Sequence, residues 1–217
     1  MKRKHDRVVI ATGGMWYHDD HQFIDEDDFV IGVDGGNVEL LERDIIPHLA
    51  VGDFDTATQD WVEALHEHGV PIEQLPRDKD VTDTEFAITK ALDHQPVEVL
   101  VLGGWGNRWD HTLANVNLLE RLLQAGVRGV MQNRWNRMQL VGPGRQHVLK
   151  SHYHYLSLIA WNTVVKGLHL SGFRFPLANA TLERTRSLAI SNEWTKERGT
   201  IRHSEGNLLI IQSCDSN

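Results

Sequence analysis

Aspartates recur just after short apolar runs in the first half of this chain, and oxygen ligands so placed suit a hard divalent cation. Gly52-Asp53-Phe54-Asp55-Thr56 sets two carboxylates one residue apart. Like charges that close repel, so a shared cation or a substrate explains the pair better than loop capping does. Asp78-Lys79-Asp80-Val81-Thr82-Asp83-Thr84-Glu85 is a second acidic cluster. Thr82 with Glu85 three positions later reads as a capping box, which starts a helix there and turns its positive end toward the cleft. Capping accounts for Thr82 and Glu85. It leaves Asp80 and Asp83 as further magnesium or substrate ligands and Lys79 as a cation for phosphate oxygens, with a solvated charged loop as the alternative.

Glycines supply the other half of the pattern. In Thr12-Gly13-Gly14, the missing Cβ atoms would let backbone N–H groups approach a phosphate, although a plain turn uses glycine equally well. Val33-Asp34-Gly35-Gly36-Asn37 leads into a helix whose amide end suits anionic groups, and Asp34 could equally be that helix's cap. The segment Gly103-Gly104-Trp105-Gly106-Asn107-Arg108-Trp109-Asp110-His111-Thr112-Leu113-Ala114-Asn115 joins a flexible loop, a guanidinium and a helix start, which suits a polyphosphate. Asp110 reads as a possible cap of that helix. His111 and Asn115, four apart, share one helical face, and a buried, hydrogen-bonded histidine is as good a reading of His111 as an acid or base.

These clusters must be held by something, and the apolar pattern predicts what. Runs at 8–11, 29–33, 49–51 and 97–102 read as buried parallel strands, and helical spacing appears at 38–41, 61–65, 86–92 and 113–123. That alternation predicts a doubly wound, mostly parallel α/β sheet with ligands at the carboxyl ends of its strands. After about residue 137 the helical period gives way to β-rich segments, following the turn signal Gly142-Pro143-Gly144. Strands are expected at 153–161, 163–170, 187–191, 199–203 and 208–211, forming a β-sandwich. The expected domains are thus 1–140, a doubly wound α/β domain, and 141–217, an all-β sandwich.

Composition narrows the function classes. A formal charge of −8 over 217 residues speaks against a nucleic-acid binder, which needs a basic face. Cys214 is the only cysteine, so no intrachain disulfide is possible. No signal-peptide apolar region follows the basic start, and no apolar run reaches the roughly 20 residues of a membrane span, so a cytoplasmic protein without membrane partners is expected. Neither a Gly-x-x-x-x-Gly-Lys-Ser/Thr segment nor the protein-kinase signatures occur, which argues against the common ATPase and kinase classes.

Taken in order, Val33-Asp34-Gly35-Gly36, Gly52-Asp53-Phe54-Asp55-Thr56, Asp78-Lys79-Asp80-Val81-Thr82-Asp83 and Arg108-Trp109-Asp110-His111-Thr112-Leu113-Ala114-Asn115 resemble the motifs of thiamine pyrophosphokinases. Val165-Lys166-Gly167-Leu168, Gly172-Phe173-Arg174-Phe175-Pro176-Leu177, Ile190-Ser191-Asn192-Glu193 and His203-Ser204-Glu205-Gly206 resemble that family's C-terminal β-sandwich, so the likeness spans about residues 12–211. The resemblance implies transfer of the pyrophosphoryl group of ATP to thiamine, giving thiamine diphosphate and AMP. It implies Mg²⁺ at Asp53, Asp55, Asp80 and Asp83, and an ATP side that includes Lys79, Arg108 and Asp110. Thr12, Gly13, Gly14, Asp34, Gly35, His111 and Asn115 join the expected ATP site, and Thr82, Ser191 and Asn192 the thiamine site. A homodimer is implied, with thiamine near the subunit interface.

The chain departs from the commonest pattern at Thr56, where serine is frequent, and at Trp105 and Trp109, which add bulk to the glycine-rich loop. Packing is the expected role of these tryptophans, with stacking on adenine or thiamine the alternative. The histidine pairs His66/His68 and His152/His154 lack an evident third ligand for zinc. The acidic stretch from Asp19 to Asp28 is expected to be a solvated loop. Two rival functions use the same residues: a metal-dependent nucleotide phosphohydrolase, and a non-catalytic thiamine or nucleotide sensor, which should have lost a metal carboxylate.

Overall fold

The computed structural model describes residues 5–54, 59–76, 78 and 80–215, and these form two compact units that meet in sequence at Arg134 and Trp135. In the first, parallel strands lie in the order β6 (Arg128–Gln132), β5 (Glu98–Leu102), β1 (Arg7–Ala11), β2 (Phe29–Val33), β3 (Leu49–Gly52) and β4 (Ile72–Gln74). Val8, Val9, Ile10 and Ala11 are all fully buried, as expected for a strand covered on both faces. Helices α1 (Gly35–Leu41), α2 (Gln59–Glu67), α3 (Asp83–Asp93) and α4 (Trp109–Gln124) alternate with the strands. α1 packs on β1 and β2, α3 on β1, β2 and β3, and α4 on β6. Leu40, Leu119 and Leu122 are buried in this packing, each contributing roughly 1.5–3 kcal/mol of transfer free energy.

The predicted alternation is present, with two strands beyond it. In β6, Gly129 interrupts the apolar run, because a Cβ there would sit 2.8 Å from Leu122 Cδ1 of α4. β4 has three residues, none buried, and so carries no periodic signal. The chain runs outward from β1 to β4 and then returns to β5 on the other side of β1, so the strand order reverses between β1 and β5. A crevice for ligands belongs at the carboxyl ends of those two strands.

The acidic stretch before β2 is solvated only in part: Glu26 and Asp27 are exposed, as its charge predicts, whereas Asp20 and Asp28 are buried. Asp28 is 4% exposed and takes two hydrogen bonds from the Arg7 guanidinium, at 2.7 and 2.6 Å. Those bonds raise the Arg7 pKa. Asp20 is fully buried and accepts from the Tyr17 and Arg134 backbone N–H groups. Burial raises the Asp20 pKa, and the two amide donors oppose the shift. Paired carboxylates of this kind look identical to solvated ones in a sequence, since Arg134 and Arg7, which complete their pairing, lie 114 and 21 residues away.

The second unit is a sandwich of two antiparallel sheets. One has β12 (Asn192–Glu193), β9 (Tyr155–Ala160), β14 (Leu208–Ser213) and β7 (Asn136–Val141) side by side. The other has β11 (Leu177–Glu183), β10 (Val164–Ser171), β13 (Arg198–His203) and β8 (Gly144–Leu149). Leu156, Leu158, Leu168, Leu182, Ile201 and Leu208, each at most 1% exposed, fill the space between them. The Gly142-Pro143 turn carries the chain from one sheet to the other. β8 and β11, the edges of the second sheet, are mostly exposed and escape the apolar pattern.

The strand expected at 187–191 is a turn instead. Leu188 and Ile190 are exposed, and Ser191 has φ +55°, outside the extended region. The Ser191 amide donates to Ser157 Oγ at 2.9 Å, and strand pairing begins only at Asn192. Among the described residues, no helix is long and apolar enough to cross a membrane.

A buried histidine makes this unit's stability pH-dependent. His203 is 2% exposed, its Nε2 lies 3.0 Å from Gly206 O, and its Nδ1 is buried without a partner. The carbonyl places the proton on Nε2, so a second proton on Nδ1 would be an unpaired buried charge. Burial accordingly lowers the His203 pKa, against the opposing effect of the Gly206 bond. The unfolded chain takes up this proton near its ordinary value of about 6.5. This contribution to stability is therefore constant above that pH and falls as the pH drops below it, by at most about 1.4 kcal/mol per pH unit. Urea unfolding at about pH 7.5 and about pH 5.5 should show a shallower loss for His203→Gln than for the unaltered protein. Equal losses would exclude His203 as a source.

Candidate active site

Three loops close around the crevice at β1 and β5. They follow β1 (residues 12–15), β2 (33–35) and β5 (103–108), with α3 and α4 adding Thr84, His111, Thr112 and Asn115 to a cleft of about 690 Å³. Thr12, Gly13, Gly14, Asp34, Gly35, Arg108, His111 and Asn115 from the expected ATP site all line this cleft. Met15, Trp105 and Asn107 line it as well, although sequence reasoning gave Met15 and Asn107 no role.

The cleft floor is main chain. Thr12 N donates to Leu102 O at 3.0 Å, and its hydroxyl donates to Gly103 O at 2.6 Å, so the β1 and β5 loops are bonded together. Gly14 lies where they cross. A Cβ on it would be 2.0 Å from Gly103 O and 2.3 Å from Trp105 O, both backbone atoms, which leaves no room for a side chain. Asn115 reaches back to donate to Gly104 O at 3.0 Å. Thr112 Oγ1 accepts from Gly106 N and donates to Arg108 O, both at 3.2 Å. Thr112 and Asn115 thus shape the loop from one face of α4.

At the ends of β2 and β3 the backbone itself is unusual. Asp34 adopts φ +46° and ψ −119°, and Phe54, next to Asp53, has φ +56°. Left-handed backbone at non-glycine residues is costly and gathers where function needs it. The Asp34 carboxylate does not cap α1: the Asp34 carbonyl instead accepts from Asn37 N and Nδ2, at 3.0 and 3.1 Å. Asp34 Oδ1 lies 1.9 Å from where a Cβ on Gly52 would be, which brings this carboxylate against the end of β3 just before Asp53.

Thr82 caps α3 by accepting from Glu85 N at 3.1 Å, as its spacing predicts. The reciprocal half of the capping box is not made, because Glu85 pairs with Arg121 of α4 at 3.0 Å. Asp83 opens α3 and is half-buried, whereas Asp80 is exposed. Asp55 and Lys79 lie outside the described residues, as does Thr56. Asp110 does not line the cleft; Arg108 holds it at 2.6 Å and, with the His111 amide, lowers its pKa. The N-cap position of α4 is Arg108 rather than Asp110, which lies in the helix's first turn. Trp109 is 72% exposed, so packing does not account for it, and Trp105 is half-buried in the cleft wall.

Among the described residues, no three His, Cys, Asp or Glu side chains group closely enough to hold a metal unaided. The donor set nevertheless fits Mg²⁺, which takes oxygen ligands, keeps several waters and binds through one or two carboxylates plus substrate phosphates. In the second unit, Asn192 is 3% exposed, and its amide holds Phe175, accepting from its N at 3.0 Å and donating to its O at 2.8 Å, while its Oδ1 also accepts from Glu193 N at 3.1 Å. Ser191 beside it is exposed.

Two family models match the chain: the thiamin pyrophosphokinase catalytic domain over residues 21–131 and the thiamin pyrophosphokinase vitamin B1 binding domain over residues 146–208. The chain belongs to the thiamin pyrophosphokinase family. It is similar to thiamine pyrophosphokinase of Bacillus subtilis, at 34% identity over 194 residues, covering 89% of this chain and 91% of that one. The crystal structure of the Bacillus subtilis thiamine pyrophosphokinase superposes with a TM-score of 0.91 at 32% identity, covering 97% of this chain and 100% of that one. The Geobacillus thermodenitrificans thiamin pyrophosphokinase structure gives 0.88 at 32% identity, with 97% and 99% covered. These relatives of the thiamin pyrophosphokinase family share both units with this chain.

Proposed function

We infer that the chain transfers the pyrophosphoryl group of ATP to the hydroxyl of thiamine, releasing thiamine diphosphate and AMP. The observation that carries this reading is the match to both thiamin pyrophosphokinase domains in one chain. The glycine-floored crevice at the β1–β5 reversal supports it. The first unit, which ends at Arg134, acts as the ATP- and Mg²⁺-binding catalytic domain, and the second, from Trp135, as the thiamine-binding domain. ATP lies in the cleft against Thr12, Gly13, Gly14, Asp34, Gly35, His111 and Asn115, with Arg108 toward its phosphates. Asp110 acts through Arg108, holding the guanidinium in place.

Asp53, Asp55, Asp80 and Asp83 would hold Mg²⁺, which when bound neutralises phosphate charge and orients the polyphosphate. The thiamine hydroxyl attacks the β-phosphorus in line with the departing AMP oxygen. Lys79 and Arg108 offset charge that develops on the transferring oxygens, and positioning supplies most of the acceleration. Thr82 and Ser191 contribute to seating thiamine. Asn192 contributes by fixing the backbone at Phe175, where its amide is already bonded.

The enzyme works in the cytoplasm as a homodimer. Trp109 and Leu113, four apart on α4 and 72% and 57% exposed, are an apolar pair that a subunit interface would cover. Purified protein with ATP, Mg²⁺ and thiamine should form AMP and thiamine diphosphate in equal, thiamine-dependent amounts. Release of ADP or phosphate without thiamine diphosphate would overturn the transferase reading in favour of a phosphohydrolase.

A further inference from the structure

Asp20 is fully buried, yet the reaction above has no use for it. It belongs to the loop between β1 and β2, whose first residues line the cleft. Its Oδ1 accepts from Arg134 N at 2.7 Å, beyond the end of β6, and its Oδ2 accepts from Tyr17 N at 2.9 Å. The Tyr17 hydroxyl donates to Met15 Sδ at 3.0 Å, and the Met15 amide donates to Trp105 O. Met15 and Trp105 both face the cleft. A continuous path of contacts therefore runs from a buried carboxylate to the apolar part of the cleft wall.

We propose that Asp20 is a positioning residue for ATP: through Tyr17 it fixes Met15 beside Trp105, the apolar wall against which the purine ring packs. The proposal rests on the cleft being the ATP site. Both Asp20 partners are backbone donors, so both side-chain oxygens must accept. Asparagine offers one acceptor and would turn an NH₂ group toward a backbone N–H in a fully buried site, which costs more than a lost bond at the surface. The loop would then rest on its other attachments, Trp16 Nε1 to Thr12 O at 2.8 Å and the Met15 amide to Trp105 O, and the Met15 side chain would lose the hydroxyl contact that orients it.

Steady-state kinetics of the full-length protein test this with two variants. Asp20→Asn is expected to raise the KM for ATP about tenfold, with kcat and the KM for thiamine within about twofold. Tyr17→Phe keeps the backbone amide that Asp20 binds and removes the hydroxyl that donates to Met15 Sδ; it should raise the ATP KM by about threefold without lowering the thermal midpoint. The double variant should match Asp20→Asn alone, since both act along one path. If Asp20→Asn proves too unstable to assay, Tyr17→Phe decides alone. An unchanged ATP KM in Tyr17→Phe, or an Asp20→Asn protein that loses stability with its ATP KM unaltered, overturns the proposal. An unaltered protein with no saturable dependence on ATP would overturn the reading of the cleft itself, and that result is visible before any variant is made.

Discussion

Asp53→Ala and Asp83→Ala are each expected to lower pyrophosphoryl transfer by at least about 10²–10³-fold while leaving the protein folded. Both carboxylates sit at the carboxyl edge of the sheet, Asp53 directly after β3 and Asp83 at the start of α3. Neither is buried, so alanine removes charge from the site without opening a cavity in the core. Losing an acid from the first turn of α3 costs about 0.3–1 kcal/mol of helix stability, which is small beside the effect on transfer. Following AMP and thiamine diphosphate together, with a thermal melt as the folding control, measures both. Near-normal transfer by either variant would remove that residue from the site.

Gly14→Ala is the second large effect. The new methyl would meet Gly103 O at 2.0 Å and Trp105 O at 2.3 Å, and neither backbone atom can rotate away as a side chain would. The β1 and β5 loops would have to part, breaking the Thr12 bonds to Leu102 and Gly103 and displacing the floor of the cleft. A fall in kcat/KM for ATP of about 10²-fold or more is expected, since misplacement by about 1 Å suffices for that. Gly142→Ala is the matched control: its Cβ would meet nothing closer than Asn207 Oδ1 at 3.9 Å, so activity should stay intact. Full activity in Gly14→Ala would mean that the crossing of the two loops plays no part in binding ATP.

What could be read in the sequence was whatever depends on near neighbours. The run from Val8 to Ala11 declares a buried strand by itself, and Thr82 with Glu85 declares a helix start because a cap spans a single turn. Glycines after strands likewise announce a crevice, since few other residues tolerate that approach. Asp20 gave no such signal, because the amide that makes it structural belongs to Arg134, 114 residues away. Glu85 shows the same limit in the other direction: its spacing promises a closed capping box, and only the packing of α3 beside α4 reveals Arg121 as the preferred partner. The turn at 187–191 looks like a strand in sequence because Leu188-Ala189-Ile190 is a short apolar run between serines, yet Leu188 and Ile190 face outward and only Ala189 is buried.

A cleft floored by main chain also limits how this enzyme can drift over evolutionary time. Carbonyl and amide groups are the same whatever the codon, so the floor at Gly14, Gly103 and Gly104 cannot be retuned by exchanging one residue for another. Variation in which nucleotide or alcohol is accepted has to be written at the rim, where Met15, Trp105 and Asn107 present side chains that can change without moving the loops beneath them.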